Sequence, residues 1–134
     1  MSSTNTSSNQ PGSRGHIEIF LYRAPKKNHD GMLEVNRQSL DFFIKHGASS
    51  FEVFSLTSRE NMMEFVNLSK TISASDDEVW FEIQSYRDSE HVKEFTASMQ
   101  GDKSIEPIYK RFIELITPGS IVSFGGFGKI EEIS

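Results

Sequence analysis

Apolar and polar residues alternate from His16 to Arg23, with Ile17, Ile19 and Leu21 on one side of the chain and His16, Glu18, Phe20 and Tyr22 on the other. A period of two sends successive side chains to opposite faces, so the segment predicts a strand. Pro25 ends it for want of a backbone N–H, and Asn28 is placed to cap a following helix with its side-chain oxygen. On a 3.6-residue wheel Met32, Val35, Ser39, Leu40 and Phe43 share a face, while Glu34, Arg37, Gln38, Asp41 and Lys45 point away, which predicts a helix to His46. Gly47 suits a left-handed cap, and Phe51 to Leu56 reads as a second strand.

From Thr57 to Asp77 the apolar residues Met62, Met63, Phe65, Val66, Leu68 and Ile72 follow no single period. This predicts a long excursion with a short extended piece at Glu64 to Leu68, and such loops often cover a site or a partner surface. Alternation returns at Glu78 to Tyr86, with Val79, Phe81 and Ile83 against Trp80, Glu82, Gln84 and Tyr86. Asp88 and Ser89 are caps for a helix bearing Val92, Phe95 and Met99, and a second helical piece carries Ile105, Ile108, Tyr109, Phe112, Ile113 and Ile116 in a stripe. Pro118 and Gly119 stop it. The last strand, Ser120 to about Ile130, contains Gly125, Gly126 and Gly128, which suggests a bulge or a close backbone approach.

Strand, helix, strand, strand, helices, strand is the split βαβ pattern. It predicts an α+β, ferredoxin-like fold: a four-stranded antiparallel-type sheet with its helices on one face and the first and third strands in the middle. One domain is expected over residues 16–134, behind a disordered tail at 1–15 rich in Ser, Asn and Thr. The more apolar rows, Ile17, Ile19, Leu21 and Val79, Phe81, Ile83, are expected to face the helices. Phe20, Tyr22, Trp80 and Tyr86 then lie on the opposite face among His16, Glu18, Glu82 and Gln84. Burying one such ring stabilises by roughly 1.5 to 3 kcal/mol, so that face is expected to be covered by a second copy of the chain in a homodimer.

Composition narrows the chemistry. A net charge of -5 argues against a nucleic-acid partner, whose phosphates need clustered cations, and the only dense basic spot is Arg23, Lys26 and Lys27. No cysteine is present, which excludes disulfides, thiolate metal sites and a cysteine nucleophile, and which suits a cytoplasmic location. No apolar run approaches the roughly 20 residues of a membrane-spanning helix, so no membrane partner is expected.

The segments Arg23-Ala24-Pro25-Lys26-Lys27-Asn28, His46-Gly47-Ala48, Asp77-Glu78-Val79 and Gly125-Gly126-Phe127, in this order, resemble the YbaA-like family of small proteins over about residues 16 to 130. The resemblance implies a dimeric α+β barrel. It implies a fold more than a function, because the family has no established activity. The wider superfamily includes cofactor-free monooxygenases, haem-degrading enzymes and chlorite-dismutase-like proteins, and it shares architecture rather than one chemistry.

Among candidate residues, Glu18 and Glu82 stand on the two central strands, where two close carboxyls would raise one pKa and provide a general acid or base. Paired instead with Arg23, Lys129 or a cation of the dimer mate, they would be structural. His16 lies two residues from Glu18 on one strand face and is a metal candidate only if Glu82 joins them. Phe20, Tyr22, Trp80, Gln84 and Tyr86 suit a small aromatic ligand, or else dimer-core packing. His29, His46 and His91 read as structural, and no cofactor is expected. Ser123 to Lys129 lacks the spacing of a phosphate loop, and no Ser-His-Asp order stands out among the many serines. Two functions follow: a small-molecule-binding dimer, or a cofactor-independent monooxygenase-like enzyme acting on a small aromatic substrate. A structural or interaction dimer is the third reading.

Overall fold

The computed structural model describes residues 15–72 and 76–133. Strands β1 (His16–Pro25), β2 (Ser50–Ser55), β3 (Asp77–Tyr86) and β4 (Val122–Gly128) form a four-stranded sheet in the order β2-β3-β1-β4. Every neighbouring pair is antiparallel. Helix α1 (His29–Lys45) joins β1 to β2, and α2 (Ser89–Met99) and α3 (Ile105–Leu115) join β3 to β4. This is the ferredoxin-like α+β fold, with β1 and β3 central and the helices on one face.

The register pairs Tyr22 with Trp80, Phe20 with Glu82, Glu18 with Gln84 and His16 with Tyr86. This mixed row faces the helices. Tyr22, Ala24 and Trp80 pack with Met32 and Val35 of α1 and with Leu115 and Ile116, while Tyr86 packs with Ala48 and with Phe95 of α2. The expected assignment of the two faces is therefore reversed. Ile19, Leu21, Phe81 and Ile83 line the outer face, where Phe54, Val122, Phe124 and Phe127 are about half exposed.

The reversal has a physical cause. The Tyr22 hydroxyl and the Glu82 and Gln84 side chains need partners once buried. The helix side supplies one from Asn36, on the packing face of α1, and the sheet row supplies the others from within itself. A purely apolar row makes no such demand.

Local departures are smaller. Asn28 does not cap α1 with its oxygen, and its amide donates instead to the Leu115 carbonyl at 2.9 Å, tying α1 to the end of α3. In α1, Asn36 and Phe42 are buried and Leu40 is exposed, so the packing face is turned slightly from the expected stripe. No strand forms at Glu64 to Leu68; a short 3-10 turn spans Leu68–Lys70, and Met62, Met63, Phe65 and Val66 stand in solvent. The tail expected at residues 1–15 lies outside the described residues except for Gly15, whose carbonyl accepts the Lys129 amide at 2.8 Å.

The glycines of β4 do what the strand requires. The register shifts between Ile19 and Phe20, and Gly125 takes φ +82° at that bulge. A Cβ at Gly126 would stand 2.5 Å from Glu18 Oε2 and 2.8 Å from His16 Nε2, so a side chain there would displace the ends of that pair.

His46, at the end of α1, clamps the helices together. Its Nδ1 lies 2.7 Å from the Ser98 hydroxyl and its Nε2 2.8 Å from Asp102. Hydrogen bonds from Ser104 and His46 hold the Asp102 carboxyl well below the usual carboxylate range, with Lys45 adding to them. An acid whose folded pKa is depressed stabilises above its unfolded value and loses that contribution as pH falls toward the folded one. Asp102→Asn is expected to lower Tm at pH 7, and the gap from the native chain should narrow once pH drops below the ordinary aspartate value. Thermal melts between about pH 2.5 and pH 7 check this; a gap independent of pH would refute the ionic clamp.

Candidate functional site

Between the sheet and the helices lies a cavity of about 260 Å³. Its floor is the mixed row of the sheet, with Phe20, Glu82 and Gln84. Asn36, Ser39 and Phe43 from α1 form one wall, and the Ile105, Ile108 and Phe112 stripe of α3 forms the roof, with exposed Tyr109 at the rim. Because this stripe is only partly buried, α3 leaves space over the sheet where a tightly packed helix would fill it.

One hydrogen-bonded chain crosses the floor. The Tyr86 hydroxyl donates to Gln84 Oε1 at 2.9 Å, and Gln84 Nε2 donates to Glu82 Oε2 at 2.7 Å. From the other side Tyr22 donates to Glu82 Oε1 at 3.0 Å, and its oxygen lies 3.3 Å from Asn36 Oδ1. The donors converge on Glu82. Burial pushes its pKa up, while the hydrogen bonds from Gln84 and Tyr22 hold it down, and burial prevails. Burial likewise drives the Tyr22 and Tyr86 hydroxyls well above the ordinary phenol value, with Glu82 and, for Tyr86, Glu18 adding to it. Glu82 is thus the group in the cavity fitted to take or give a proton.

The expected residues divide into three groups. Phe20, Glu82 and Gln84 line the cavity. Tyr22 and Tyr86 lie behind it as the ends of the chain, and Trp80 is packed in the core with its ring 5.7 Å from that of His29. Trp80 is therefore not a residue of the outer face, and Trp80→Asp would disrupt the core rather than separate two subunits. Glu18 stands opposite Gln84 in the ladder, diagonal to Glu82 on the same face, and is engaged by His16 Nε2 at 2.6 Å. The two carboxyls share no hydrogen bond, each being bonded to other partners. Nor does Glu82 pair with Arg23, which binds Asp77 at 2.5 Å.

His16, Glu18 and Glu82 do not assemble as a facial triad, and among the described residues no group of three or more His, Cys, Asp or Glu side chains is placed to hold a metal. No described helix is long and apolar enough to cross a membrane. The walls from α1 and α3 escaped the sequence reading, although Asn36 and Ser39 carried a signal: they are polar residues interrupting an apolar helical stripe.

No family model matches the chain, and no curated protein matches it. Neither comparison supports the YbaA-like family. Among solved structures the chain is similar to SnoaB, a cofactor-independent oxygenase from Streptomyces nogalater solved as a point mutant. The TM-score is 0.48 at 12% identity, covering 86% of this chain and 93% of that one, and a likeness this distant carries no argument about chemistry.

Tyr22→Phe leaves the ring in place and removes one donor from Glu82. It is expected to cost about 1 to 2 kcal/mol in urea unfolding. It should also move the Glu82 carboxyl titration, followed by carbon NMR, still further above the ordinary glutamate range. An unchanged titration would show that the hydroxyl does not act on Glu82.

Proposed function

We propose that the chain is a small-molecule-binding protein that works as a homodimer and holds its ligand between sheet and helices, against Glu82 and Gln84. The observation that carries this is the cavity itself: walls made largely of ring and branched side chains, with Asn36 and Ser39 among them and one buried carboxyl at the floor. Largely apolar concavities with few convergent polar groups are the usual form of a ligand site. Such a site suits a compact aromatic body bearing one polar group. The ring set expected from the sequence contributes here through Phe20 directly and through Tyr22 and Tyr86 indirectly.

The second reading, a cofactor-independent monooxygenase-like enzyme acting on a small aromatic substrate, is favoured by the position of Glu82. A carboxyl facing an apolar cavity, with its proton affinity raised by burial, is suited to take the proton of a phenol or enol near neutral pH. Conversion of a phenolic ligand under oxygen, followed by mass spectrometry and lost in Glu82→Gln, would distinguish enzyme from binder.

For ligand binding itself, a thermal-shift screen with small aromatic compounds is expected to raise Tm, since a ligand at 100 times its Kd stabilises by about 2.7 kcal/mol. Ile108→Trp, which fills the cavity from α3, should abolish the shift while the variant still melts cooperatively. A shift that survives in this variant would place the ligand elsewhere.

The partner is assigned to the outer face. Ile19, Leu21, Phe81 and Ile83 run along the two central strands, and the half-exposed Phe54, Val122, Phe124 and Phe127 flank them. A broad apolar sheet face is costly to leave in water. A second copy presents the same face about a two-fold axis, so like meets like without needing a charge complement. Ile19→Asp is expected to convert the dimer to a folded monomer, read by light scattering together with circular dichroism. A native chain that is already monomeric would refute the assignment.

A further inference from the structure

We infer that the ligand of this cavity is an amine: a compact aromatic or branched body carrying a cationic nitrogen that sits on Glu82. The inference deepens the binding reading above and rests on it. Its basis is the direction of the hydrogen-bonded chain. Tyr86 donates to Gln84, Gln84 donates to Glu82, and Tyr22 donates to Glu82 from the opposite side. Both carboxyl oxygens therefore already accept, an arrangement of donors that favours the ionised form while burial works against it.

Among the described residues no lysine, arginine or histidine lines the cavity to give the carboxylate a counter-charge, and Arg23 and His16 are engaged elsewhere, with Asp77 and Glu18. A buried carboxylate held by neutral donors alone is left with much of its desolvation cost, and a cation supplied from outside offsets it. The walls fit the same guest. Phe20, Phe43, Phe51, Tyr109 and Phe112 surround the floor, and aromatic rings attract a cation as well as an apolar body. An anionic ligand would meet Glu82 with like charge, and a neutral carbonyl would find one N–H of each lining amide already given away, by Gln84 Nε2 to Glu82 and by Asn36 Nδ2 to the Met32 carbonyl.

The test compares four small phenyl compounds on the native protein by calorimetry at pH 7: phenethylamine, phenethyl alcohol, acetophenone and phenylpropionate. The amine is expected to bind at least about tenfold more tightly than the alcohol, and phenylpropionate not at all. In Glu82→Gln the amine and the alcohol should bind within about twofold of each other. Alcohol or ketone binding as tightly as the amine in the native protein would overturn the amine assignment and leave the ligand site standing. Failure of all four probes, with Ile108→Trp indistinguishable from the native chain in every titration, would overturn both.

Discussion

The structure turns on a buried carboxyl. Glu82 sits on a central strand beneath the helices, and an ionisable group there is tolerated only if donors meet it. Tyr22 and Gln84 supply them, Tyr86 fixes Gln84, and Asn36 reaches Tyr22 from α1. These contacts link both central strands to the first helix. They also select which face of the sheet the helices cover, since only the mixed row needs the polar atoms that α1 brings.

A ferredoxin-like sheet with one face of this kind is left with an apolar second face. In most antiparallel sheets the two faces separate into a buried apolar one and a wet polar one. Here the inner face holds tyrosines, a glutamate and a glutamine, and the outer one holds isoleucine, leucine and phenylalanine. Both are unsuited to water. The cavity and the face proposed to meet a second copy therefore lie on opposite sides of one sheet.

The cavity exists because α3 does not close it. Leu115 and Ile116 anchor the end of that helix in the core, whereas Ile105, Ile108 and Phe112 remain only partly buried over the floor. Asn28 and the Arg23, Asp77 and Thr117 contacts hold the end of α3 against the start of α1 and the end of β1. The roof is thus pinned at one end, and its apolar stripe faces space that a small guest can occupy.

Period and punctuation alone were enough for the elements. Alternation at Ile17 to Leu21 and at Val79 to Ile83, the cap at Asp88 and the stops at Gly47 and Pro118 are local signals, and the order of strands and helices they produce leaves few topologies. The glycines of β4 likewise announced a bulge and a close approach. The same alternation cannot say which side of a strand is inner when both sides are hydrophobic, because that choice is made by what the helices offer across the interface. Tertiary structure alone brought Asn36 to Tyr22, gave Glu18 and Glu82 different partners, and set Phe112 and Ile108 above a carboxyl far from them in the chain. Local sequence encodes conformation. Burial, and with it the proton affinity of Glu82, is a property of the assembled layers.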